Sequence, residues 1–116
     1  MSLIAAFQPL GNTVLLVGNS VAPTGIQAPV TVGLGASQYH IVNTGTSTVF
    51  LSYANAAVLA QSQAVIPTGT GANATTTIPV MPGVACIYSL PTGSYFSAIS
   101  AVAVAQNIYI TPGEGV

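Results

Sequence analysis

The sequence has no lysine, no arginine and no tryptophan, and among its 116 residues it has one carboxylate, Glu114, one histidine and one cysteine. An ordinary domain of this size carries about 25% charged residues, roughly 29 side chains. Each absence excludes a class of function. Affinity for nucleic acid comes largely from cations that displace counterions from phosphates, and this chain has none to offer beyond a protonated His40. Anionic membrane surfaces are disfavoured as partners by the same argument. Glycoside hydrolysis needs paired carboxylates, and phosphoryl transfer needs metal-binding acids with a Lys or Arg clamp, so neither is available. A lone Cys86 forms no internal disulfide; within VACIYS it reads as a small buried hydrophobe of a core strand. Long apolar runs are missing too. The best membrane candidate, YFSAISAVAVAQNIYI, is broken by Ser97, Ser100, Gln106 and Asn107, so no membrane span is expected. The first residues, MSLIAAFQPLGN, lack the positive segment of a secretory signal, which predicts a product that stays in the compartment where it is made.

What is present is apolar and regularly punctuated. Hydrophobic residues make up 51% of the chain. With net charge near zero, that composition argues for folding and against disorder, and the length fits one domain over residues 1–116. Runs rich in β-branched and aromatic residues predict strands at 3–7, 12–17, 27–32, 38–43, 47–53, 75–80, 84–90, 94–99 and 107–111. So many short strands separated by turn residues define an all-β antiparallel sandwich or barrel. Pro-Thr-Gly recurs at 23–25, 67–69 and 91–93 and suits tight turns; Pro82-Gly83 and Pro112-Gly113 suit type II turns with glycine at positive φ. The spacing of these turns is unequal, so the chain is not a repeat protein. One stretch, ANAAVLAQSQA at 54–64, predicts a short helix with Asn55 as its N-cap, and the Thr/Gly-rich segment after it reads as an exposed loop.

The only histidine lies in YHIVNTGTSTVFLSY, residues 39–53, which reads as a hairpin turning near Thr44-Gly45-Thr46. Strand alternation puts Tyr39 and Ile41 on one face and His40 and Val42 on the other, with Val49, Leu51 and Tyr53 opposite Thr48, Phe50 and Ser52. Both faces are partly apolar. One therefore covers the core and the other awaits a second cover, such as a neighbouring chain. A catalytic triad needs a third group to orient the base, and Glu114, close to the last residue of the sequence in a Pro/Gly-rich segment, is poorly placed for that. A Cys86–His40 dyad lacks any surrounding signature. Zinc needs three or four ligands, which His40 would supply only through copies gathered on a symmetry axis. The expectation is a strand histidine in a protein that is no enzyme and has no metal or cofactor.

A surface free of charge favours association, and small neutral residues lose little rotamer entropy when immobilised. The pattern is that of a chain held permanently by neighbours. YHIVNTGTSTVFLSY, LPTGSYFSAIS and NIYITPGEGV together resemble the small capsid cement or decoration proteins of short-tailed double-stranded DNA bacteriophages. The likeness is strongest at 39–53 and 82–116, while the near absence of charge departs from the family pattern. The resemblance implies a jelly-roll-like sandwich on the exterior of an icosahedral virion, made in the host cytoplasm. It further implies that the protein clamps neighbouring major capsid subunits and pairs with copies of itself as a dimer or trimer. It makes Leu3, Ile4 and Phe7 near the first residue, and Thr111, Glu114 and Val116 near the last, candidate interface residues, with His40 beside them. Read by itself, the segment around Leu3 is equally an edge strand. Two other readings remain at this point: a carbohydrate- or receptor-binding module of a phage tail or fibre, and a self-assembling matrix or fibre subunit.

Overall fold

A computed structural model describes residues 7–30, 38–68 and 77–114. They form nine strands and one helix: β1 (Gln8–Pro9), β2 (Val14–Gly18), β3 (Ile26–Gln27), β4 (Gln38–Asn43), β5 (Val49–Ala54), α1 (Ala57–Gln63), β6 (Ile78–Val80), β7 (Ala85–Ser89), β8 (Tyr95–Ser100) and β9 (Gln106–Glu114). All strand pairs are antiparallel. β1 and β2 pair with successive stretches of β9, on the side away from β4, so they act as one edge strand interrupted at residues 10–13. The first sheet then runs β1/β2–β9–β4–β7 and the second β3–β8–β5–β6. With β1 and β2 taken as one strand, the chain changes sheet at every connection except β5 to β6, where α1 intervenes. With β1 and β2 counted together, this is the connectivity of an eight-stranded jelly roll.

Alternation within strands produces the core. Tyr39 and Ile41 of β4, Leu16 of β2, and Ile108 and Ile110 of β9 face Val49 and Leu51 of β5, Val80 of β6, and Phe96 and Ala98 of β8. The Tyr39 and Phe96 rings meet edge to face with centroids 5.0 Å apart and join the two sheets, a contact worth about 0.5–1.5 kcal/mol beyond its buried area.

The expected hairpin does not form. β4 and β5 lie in different sheets, and residues 44–48 carry the chain across the sandwich. Each strand has an apolar face, and setting those faces against one another across the core buries more apolar surface than pairing edge to edge. Pro112-Gly113 is not a turn either: both residues lie in β9, and positive φ occurs at Gly83 (77°) and Gly93 (80°) among the described residues. Pro112 is tolerated in the strand because its nitrogen points to the gap between β1 and β2, where its carbonyl accepts from the Leu10 amide at 2.9 Å. Pro82-Gly83 does make the expected turn, with Gly83 in the left-handed region.

The helix is shorter than its sequence pattern. It starts after Ala56, with no side-chain cap, because Ala54 is held in β5. It covers the outer face of the second sheet, so that sheet's second cover is the chain itself and not a neighbour. Ser52, buried and directed away from the core, donates to the Ala60 carbonyl at 2.6 Å, and Ser97 donates to the Pro23 carbonyl at 2.7 Å. These small hydroxyls let helix and loop lie close against the strands with their polar atoms satisfied. Among the described residues no helix is long and apolar enough to cross a membrane.

Candidate functional site

Among the described residues the outer face of the first sheet has no such cover beyond the Phe7 ring. Leu15 lies opposite Tyr109, Tyr109 opposite Val42, and Val42 opposite Ala85, which makes one row across four strands. The next row is Thr111, His40 and Ile87. Leu15 is 48% exposed, Val17 39% and Tyr109 37%. An aromatic ring and two aliphatic side chains therefore stand partly in water on a surface that also carries the one histidine, His40.

His40 is half-buried, and the Phe7 ring lies over it with centroids 5.8 Å apart. It is a packed strand residue. Its strand neighbour Cys86 pairs with Ile41, one position on, so alternation puts the His40 and Cys86 side chains on opposite faces of the sheet. Glu114 stands exposed at the end of β9, three positions from the Thr111 that faces His40, and alternation sends it to the other face. The geometry assembles neither a dyad nor a triad from these three. Among the described residues no three His, Cys, Asp or Glu side chains gather to hold a metal.

Of the candidate interface residues, Phe7, His40 and Thr111 come together on this outer face, and Thr111 shares a 2.6 Å hydroxyl contact with Thr13. Glu114 lies apart from them at the strand end, opposite Gln8. Leu3, Ile4 and Val116 lie outside the described residues, as do most of the strand expected at 3–7 and most of the Thr/Gly-rich loop. Gln8 and Pro9, just beyond that expected strand, do form an edge beside β9.

Sequence reasoning missed two residues that shape the adjoining loops. Asn43 and Gln106 are both fully buried. Asn43 donates to the carbonyls of Ser47 and Val80, each at 2.9 Å, and accepts from the Gly45 amide at 2.9 Å. Gln106 accepts from the amides of Thr46 at 2.7 Å and Ser47 at 3.0 Å and donates to the Val104 carbonyl at 3.1 Å. Two neutral amides thus tie the β4–β5 crossing to β6 and to the Ala-Val loop before β9. That loop, residues 101–105, is exposed throughout, and Val21, Met81 and Val84 are exposed on other connections. The signal for both amides was available: Asn43 shares the inward parity of Tyr39 and Ile41, and Gln106 that of Ile108 and Ile110.

Cys86 is half-buried on the edge strand β7, not a core residue. Among the described residues β7 pairs on one side only, so its side chains lack the second neighbouring strand that would enclose them. Burial, and then a side-chain hydrogen bond with Cys86, push the neighbouring Tyr88 phenol above its ordinary value of 10.0. The folded chain therefore holds this proton more tightly than the unfolded chain does. The associated stability is complete below about pH 10 and is lost as pH rises through the raised folded value. Tyr88→Phe is expected to flatten the alkaline decline of stability, measured as urea midpoints from pH 8 to 11, with a small effect because the ring is only partly buried.

At the other end of the sandwich, Tyr53, Ala54, Asn55 and residues 91–94 line an open cleft of about 190 Å³. No family model, no curated protein and no solved structure matches this chain.

Proposed function

We propose that this chain is a virion structural protein, a capsid cement or decoration protein that binds the exterior of an icosahedral phage head and clamps neighbouring major capsid subunits. The observation that supports the reading is the outer face of the first sheet, largely uncovered among the described residues, where Leu15, Val17, Val42, Tyr109 and Ile87 form an apolar surface without carboxylates or cations. Such a face gains from burial and has no ions to desolvate, so contact with a partner rests on apolar area and neutral hydrogen bonds. The role is mechanical. Each copy adds interface that must be broken before two capsid subunits separate, and many copies act together. No catalytic step and no cofactor enter it.

The alternative, a carbohydrate- or receptor-binding module of a tail or fibre, would use the cleft at Tyr53. At about 190 Å³ that cleft falls below the roughly 300–1,000 Å³ of small-molecule sites, which favours the clamp. The test is a reconstruction of particles carrying the protein, combined with washes from about 0.05 to 1 M salt. Density in register with the head lattice, retained through the wash, is expected. Density confined to the tail would replace this reading with the alternative, and release by salt would refute a neutral interface.

A further inference from the structure

The four sheet edges are not equivalent. Edge strands are normally protected against pairing with other chains by proline, charge, irregularity or shortness. β6 is three residues long with Pro79 at its centre, and β3 is two residues long. The β1/β2 edge contains Pro9, is interrupted at residues 10–13, and is closed by bridges from Gly11 to Val30 and from Asn19 to Ile99. β7, Ala85–Ser89, has none of these devices among the described residues. It is five residues long, unbroken and uncharged, and Ala85 and Ser89 are exposed.

The hydrogen-bond phase of β7 follows from the ladder. The Asn43 amide donates to the Val84 carbonyl. Bonded and non-bonded pairs alternate in antiparallel sheets, so Val84, Cys86 and Tyr88 bond to β4. The N–H and C=O groups of Ala85, Ile87 and Ser89 therefore point outward.

We infer that β7 pairs with β7 of a second copy of this chain, antiparallel across a twofold axis at Ile87. Three features favour a second copy as the occupant. An outward row of alternating donors and acceptors centred on one residue is complementary to itself under twofold rotation. Centring on Ile87 uses the whole strand: Ala85 bonds Ser89 of the second copy, Ile87 bonds Ile87, and Ser89 bonds Ala85, exchanging about six hydrogen bonds. A charge at Ile87 would meet its own like across the axis, and this edge carries no charge. The dimer also joins two outer faces into one surface, since Ala85 ends the row of Leu15, Tyr109 and Val42. Pairing is a property of the free chain and stands whether or not the capsid reading holds.

Sedimentation velocity on the full chain tests it. A monomer–dimer equilibrium is expected, with a dissociation constant on the order of 10 µM. Ile87→Lys and Ile87→Glu each place like charges directly opposite one another and should weaken association about tenfold or more, while an equal mixture of the two restores it. Ala85→Lys/Ser89→Lys changes only exposed positions and should also give monomers. Ala85→Lys/Ser89→Glu should keep the dimer, because the register sets its new charges against opposite partners. Pro79→Lys on the β6 edge should change nothing. The inference is overturned if the wild-type chain stays monomeric up to about 300 µM, if folded double-lysine chains still dimerise, or if Pro79→Lys abolishes association.

Discussion

Asn43→Ala is expected to lower the unfolding free energy by about 3–5 kcal/mol and the melting temperature by roughly 10–20 °C. The side chain is fully buried and satisfies three backbone groups, the carbonyls of Ser47 and Val80 and the amide of Gly45. Alanine leaves all three without this partner, the Val80 carbonyl in a buried site and the other two in partly buried ones, and an unmet buried polar group costs about 1–3 kcal/mol. Gln106→Ala should act in the same direction, because its carbonyl oxygen holds the amides of Thr46 and Ser47. The double variant should lose less than the sum, since both side chains fix the same crossing. Gly45→Ala provides an independent check: a Cβ there would collide with the Gln106 amide oxygen, so it should destabilise without removing any polar group. Urea unfolding of the four variants measures all of this. A cost below about 1 kcal/mol for Asn43→Ala would mean that water replaces the amide and that the loop end is not held by it.

Leu15→Asp is expected to reduce retention on the particle by about 100-fold or more while leaving the chain folded. The side chain is already 48% exposed, so a carboxylate there remains hydrated in the free protein. On docking it would lose that water against an apolar partner with no cation supplied from this chain, at a cost of several kcal/mol, and about 3 kcal/mol corresponds to 100-fold in affinity. Tyr109→Asp, one strand away, should behave alike. Val58→Asp on α1, where the residue is 74% exposed and lies over the other sheet, should not. Occupancy on purified particles gives the readout. Full occupancy with Leu15→Asp would show that the first sheet's outer face is not what the partner covers.

The two predictions draw on features with different visibility in the sequence. The outer face could be anticipated in part: alternation in QYHIVN already separated His40 and Val42 from Tyr39 and Ile41, and β4 has the expected bounds, Gln38–Asn43. Leu15 and Tyr109 were legible as strand residues but not as neighbours, because 94 positions separate them and only their common ladder brings them together. The Asn43–Gln106 arrangement was hidden for a related reason. Its hydrogen-bond partners belong to a crossing between sheets, and the sequence pattern there read as a local hairpin.

Composition and periodicity by themselves determined that the chain is all-β, that it turns at Pro82-Gly83, and that it carries a single carboxylate and no lysine or arginine. These are properties of residue types and of a two-residue period, and every segment carries them locally. Only the tertiary structure decided which strands are partners and, among the described residues, which face of which sheet stays open and which edge lacks protection. Backbone donors and acceptors are the same in every strand, so partner choice is made by the fit of whole faces across the core. That fit pairs β4 with β9 and separates it from β5, its neighbour in the chain.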